Sequence, residues 1–150
     1  MYMARNNFIK AAFIFSSFAC LLLFSGCSFL KTTERRAGFE ERWGIRIESV
    51  RLTAEGYMMD FRYRIVDPHK AAVLIEKNTT PYVVHKKTGV KMIVPTPAKV
   101  GPLRQRSDGT PPKVGRTYFM IFGNPGKLVK HGDEVTIVAG NFRAENLVVE

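Results

Sequence analysis

The sequence predicts an all-β domain, an antiparallel two-sheet sandwich of about seven strands, and three observations lead there. Tyr57, Met59, Phe61, Tyr63 and Ile65 alternate with Met58, Asp60, Arg62, Arg64 and Val66, which is the period of a strand with one apolar and one wet face. Short apolar segments then recur down the chain between Gly, Pro and Asn turn signals, with little helical periodicity. From Trp43 onward about 110 residues remain, one domain's worth and enough to bury a core without staples.

The elements follow in order. Ile45 and Ile47 share one phase, while Val50, Leu52 and Ala54 share the other. A slip near Glu48-Ser49 is what a β-bulge produces. Glu55-Gly56 makes a tight connection, so the segments on either side form a hairpin. Asp67-Pro68 ends the second strand; Pro68 suits the first turn of a short helix capped by Asp67. Pro81–His85 and Val90–Val94 form a second hairpin around Lys86-Lys87-Thr88-Gly89. Thr117–Phe122 is apolar at nearly every position, which predicts a central strand covered on both sides, or one with its outer face on a partner. Asn124-Pro125-Gly126 turns the chain. Val135, Ile137 and Ala139 continue as a strand, Gly140-Asn141 breaks it, and Phe142–Val149 forms the last. The sum is immunoglobulin-like in general architecture. A small closed barrel is the alternative. No Cys–Trp–Cys signature is present, and no repeat.

One stretch departs from this pattern. Pro95–Gly115 holds five prolines, and Lys99, Arg104, Arg106 and Lys113 stand against one acid, Asp108. Long loops without regular structure are uncommon in compact domains and often carry function, and prolines reduce the ordering cost of binding. These four cations are the candidate contact surface. The alternative is a solvated, mobile crossover between the sheets.

The N-terminus is of another kind. Met1–Lys10 carries Arg5 and Lys10 and no acid; Ala11–Phe24 is apolar apart from two serines and is shorter than the roughly 20 residues of a membrane span. Ser25 and Gly26 then precede Cys27. This resembles the lipobox of bacterial lipoproteins, although Phe24 stands where that family prefers leucine. The resemblance covers residues 1–28. It implies a signal peptide over 1–26, lipid on Cys27, a tether over 27–42 and a β-sandwich over 43–150. It also implies a membrane-anchored, extracytoplasmic protein. Ser28 in place of an aspartate favours the outer membrane, facing the periplasm, in a two-membrane bacterium. An ordinary secretory signal or a short uncleaved anchor is the alternative. Two or three acyl chains anchor stably where one holds marginally. Cys20 leaves with the signal, so a lipidated Cys27 leaves the domain without thiol or disulfide. A short helix is expected over Thr33–Arg42. The Trp43–Glu150 region resembles the bodies of small bacterial lipoproteins built from one sandwich, notably in Gly132–Val138 and Phe142–Val149, and that resemblance implies no particular activity.

Charge is the remaining global clue. The chain has 23 Lys and Arg against 13 Asp and Glu, and the part from Cys27 onward carries +8, because only Arg5 and Lys10 precede it. Such a domain near a bilayer is drawn to anionic head groups or acidic polymers. The expected partners are the membrane, through Cys27, and an envelope protein or acidic polymer. Nucleic acid is not expected, since no binding motif accompanies the charge. No cofactor or metal is expected. His69, His85 and His131 lack paired ligand spacing and read as strand-end and turn residues. Met59 belongs to the apolar stripe, and Asp60, Arg62 and Arg64 read as a solvated charge ladder. Gly126-Lys127 lacks the earlier glycine of a phosphate loop, and no nucleophile elbow occurs. The function expected is therefore a binding or accessory module of the cell envelope and not an enzyme. The alternative is an enzyme or enzyme subunit assembled from distant residues, with His69, His85 and Asp67 converging in one pocket as its sign.

Overall fold

The computed structural model describes residues 38–107 and 109–150. The signal segment, Cys27, most of the tether and Asp108 lie outside the described residues. Seven strands form two antiparallel sheets: β1 (Ile45–Thr53), β2 (Met58–Ile65), β3 (Tyr82–His85), β4 (Lys91–Ile93), β5 (Thr117–Gly123), β6 (Glu134–Ala139) and β7 (Phe142–Val148). One sheet runs β1-β2-β5 and the other β4-β3-β6-β7. The expected sandwich is present, and the two sheets do not close into a barrel. Of the expected helix over Thr33–Arg42, the described part is helical over residues 38–43.

Alternation on β2 does what its sequence dictates. Met59, Phe61, Tyr63 and Ile65 are buried, while Arg62 and Arg64 face solvent. Phe61 and Tyr63 stack at 5.2 Å between ring centroids, and Tyr63 meets Tyr118 at 6.1 Å. Fully burying a large apolar side chain contributes about 1.5–3 kcal/mol, and Phe61, Phe122 and Phe142 are fully buried alongside these residues. Tyr57 falls just before the strand and is exposed, a departure from the expected stripe. The bulge lies where the phase slip put it: the β1–β2 register shifts between Ile47 and Ser49, which lets both Ile45 and Val50 face the core.

Caps and turns position the rest. Asp67 accepts hydrogen bonds from the backbone N–H of His69 and Lys70, capping the short helix Pro68–Ala71. Gly44 has φ +63°, and a Cβ there would lie 2.5 Å from the carbonyl oxygen of Asp67, so only glycine fits. Its own carbonyl accepts from Val66 and Asp67, fixing where the chain enters β1. Asn124 is fully buried and fully occupied. It donates to the carbonyls of Gly56 and Val129 and accepts from the Val129 N–H, tying the turn after β5 to the β1–β2 turn. Past β7, Glu150 bonds back to β1: its N–H donates to Val50 and its carbonyl accepts from Leu52.

Thr117–Phe122 differs from expectation. It belongs to β5, the edge of its sheet, and the central strand is β2. Its outward residues Thr117, Phe119 and Ile121 are half-buried. An apolar run marks burial, and burial does not require a neighbouring strand on both edges. Residues from the crossover supply part of the cover: Ile121 N–H donates to the Leu103 carbonyl at 2.9 Å and Phe119 N–H to Gln105 Oε1 at 2.6 Å.

Candidate functional site

The β4–β5 crossover carries the candidate residues, and its path decides which of them reach the surface. It leaves the second sheet at Ile93, passes Gly123, where a Cβ would sit 3.7 Å from Pro95 Cγ, and turns at Pro97, whose carbonyl accepts from Val100 and Gly101. Residues 103–105 then lie along β5, with Arg104 bridged to Met120. Opposite residues of an antiparallel bridge point to the same face. Met120 faces the core, so Arg104 does too.

Arg104 therefore leaves the expected contact surface. It is 7% exposed and donates to three main-chain carbonyls: Nη1 to Leu74 at 3.2 Å, and Nη2 to Glu76 and Thr79, each at 2.7 Å. Its ion-pair partner is no carboxylate among the described residues. Burial holds its pKa below the usual guanidinium value, although the charge still sits inside. The planar fork explains why arginine does this: several donors in fixed directions gather carbonyls that one ammonium cannot span. Nearby, burial pushes the Tyr63 phenol well above its ordinary pKa, and its hydroxyl has no hydrogen-bond partner among the described residues.

The three bonds from Arg104 shape a cleft. Pro68, His69, Ala72 and residues 75–78 form one wall, and Ser107 with residues 109–112 the other, joined also by Ser107 N–H donating to the Ile75 carbonyl at 2.7 Å. The cleft has a volume of about 480 Å³. Ala72, Ile75 and Pro112 give it apolar surface, while His69, Glu76, Lys77, Asn78 and Ser107 give it polar groups. Its size lies in the ordinary range of small-ligand sites. Within the far wall Ser107 Oγ donates to the Thr110 carbonyl and accepts from Gly109 N–H.

The other candidate cations remain exposed but do not converge. Lys99 follows the Pro97 turn near the Gly123 end of β5. Lys113 lies at the Thr117 end, where its N–H donates to Tyr118 Oη and Gly115 and Arg116 bond Ile65. Arg106 is exposed between them. Sequence reasoning missed Arg104's burial because a cation between prolines looks solvated. The faint signal is the phase Leu103-Arg104-Gln105, which becomes legible only against Met120.

The histidines separate as well. His69 lines the cleft beside its cap Asp67. His85 is buried at the end of β3, with Nδ1 2.9 Å from Thr88 Oγ1 and Nε2 3.4 Å from Asp133 Oδ2, the latter without hydrogen-bond geometry. His69, His85 and Asp67 thus do not share a pocket. Met59, Met92 and Met120 are core residues. Asp60 is more buried than a solvated ladder implies, held by Arg62 at 2.8 Å, while Arg64 pairs with Glu48 at 2.7 Å. Among the described residues no group of three or more His, Cys, Asp or Glu is placed to hold a metal ion, and no helix is long and apolar enough to cross a membrane. No protein-family model, curated protein or solved structure matches this chain.

Proposed function

We propose that the protein is a membrane-anchored extracytoplasmic lipoprotein, held through lipid on Cys27, that acts as a binding or accessory module of the cell envelope. In a two-membrane bacterium it faces the periplasm from the outer membrane. The cleft lined by Pro68, His69, Ala72 and residues 75–78 on one side and by Ser107 and residues 109–112 on the other is the observation that carries the binding role: Arg104 and Ser107 tie the crossover to residues 74–79, which lowers the ordering cost of binding. The +8 charge of the part from Cys27 onward supports an acidic partner, either an envelope protein or an acidic polymer.

Two experiments test this. Metabolic labelling with a fatty-acid analogue marks the wild type and misses Cys27→Ala; equal labelling of both sinks the anchor. Pull-downs from envelope extracts compare wild type with a variant carrying Lys77→Gln, Arg106→Gln and Lys113→Gln. Loss of specific partners in the variant supports the basic binding role, and identical partner sets refute it.

A further inference from the structure

Charge along the described domain is segregated. From Lys77 to Gly132 the chain has eleven Lys or Arg and one acid, Asp108. Part of this stretch gathers at the end of the sandwich away from residue 38. Gly44 bonds Val66 and Asp67, so the described chain begins at the Ile65 end of β2. At the opposite end Met58 pairs with Gly123, Asn124 N–H donates to the Tyr57 carbonyl, and Ile93 and Pro95 lie against Gly123. Lys127 sits over the Tyr57 ring at 4.6 Å, and Lys99 and Val100 ride on the Pro97 turn next door. Here the domain exposes large apolar side chains: Tyr57 is 55%, Ile93 63% and Val100 74% exposed.

We propose that this far end, built from Tyr57, Ile93, Lys99, Val100 and Lys127, is a docking surface for an anionic lipid bilayer. Amphipathic insertion explains both halves of the composition. An aromatic ring and two aliphatic side chains enter the head-group boundary, while lysines meet the negative surface and keep their ammonium groups in water. A hydrophilic acidic polymer would account for the lysines and leave the exposed isoleucine and valine without a role. Glu55 is the one acid in the 54–57 turn. Glu134 and Asp133 are engaged by Lys86 and the Lys130 N–H. The choice of bilayer rests on the anchored reading above. From Cys27 to Gly38 the chain reaches at most about 40 Å, and β2 spans about 26 Å. The far end therefore can touch the membrane that holds the anchor.

The test is hydrogen–deuterium exchange on the full chain in nanodiscs of phosphatidylcholine alone, or phosphatidylcholine with phosphatidylglycerol. The expected result is retention in both disc types, with slowed exchange over residues 54–57 and 93–101 in the anionic discs only. Lys99→Glu should weaken that protection about fivefold or more, given the usual contribution of a near-surface lysine. Tyr57→Ser with Val100→Ser should abolish it. Val66→Ser, exposed at the other end, should leave it intact. Retention in both discs without anionic-specific protection overturns the docking surface and leaves the anchor standing. Binding to anionic discs alone, with the protection present, keeps the surface and overturns the anchor. Equal protection by soluble polyglutamate overturns the bilayer as occupant in favour of an acidic polymer.

Discussion

Arginines on β2 and the arginine of the β4–β5 crossover handle their charge in opposite ways. Arg62 and Arg64 stand on the wet face of a regular strand, each with a carboxylate close by, Asp60 and Glu48. Arg104 sits on a one-residue bridge beside β5, faces the core, and is met by carbonyls alone. The difference teaches that a cation's environment follows from the face its backbone assigns it. Exposed pairs contribute little, because water already solvates both members. A buried guanidinium must have its donors occupied, and the carbonyls that occupy them are thereby committed to it.

The largest test of that contrast is Arg104→Met. It orphans carbonyls of Leu74, Glu76 and Thr79, and urea unfolding should show a loss of about 3–5 kcal/mol. Arg104→Lys should recover less than half, since the planar fork is lost. A loss below about 1 kcal/mol for the methionine variant would dissolve the distinction between the two regions. On the other side, Arg64→Ala should cost about 0–1 kcal/mol and less at high salt. A larger cost would mean that the β2 face is more than a solvated ladder.

Tyr63→Phe sharpens the comparison next, because it removes a buried hydroxyl that lacks a partner among the described residues. The change should be neutral, or stabilising by up to about 1 kcal/mol. Burial raises the folded pKa of this phenol. Its contribution is present below the ordinary tyrosine pKa of about 10 and is lost as pH rises, since the unfolded chain releases the proton first. The phenylalanine variant should hold its stability further into alkali than wild type, measured by melting across that range. Smallest of all is Glu40, whose carboxyl is held low by its hydrogen bond to Arg46. That stabilisation is present above the ordinary glutamate pKa and fades as pH falls through the lowered one. Glu40→Gln should flatten this slight acid slope, and an unchanged slope would assign it to other carboxylates.

Much of the fold was legible because strands, bulges and turns are local devices. The alternation around Phe61, the phase slip at Glu48-Ser49 and the Asp67-Pro68 cap each act over a few residues, and each appears where the pattern put it. Thr117–Phe122 was harder: its apolar run reports burial but says nothing of strand order, and the edge position emerged only from pairing. Of the four candidate cations, three are exposed as expected and Arg104 is not. The cleft was invisible, because its walls come from segments 25 to 30 residues apart at the Arg104 bonds.

By itself the sequence determined the fold class, the strands, the charge and the expectation of an anchor at Cys27, since composition and two-residue periodicity are properties of the chain alone. Only the tertiary structure decided that Arg104 turns inward, that β5 lies at an edge, that His69 and His85 part company, and that Tyr57, Ile93 and Val100 share one end. Those outcomes depend on register and long-range pairing, in which one step along a strand moves a side chain from water to core.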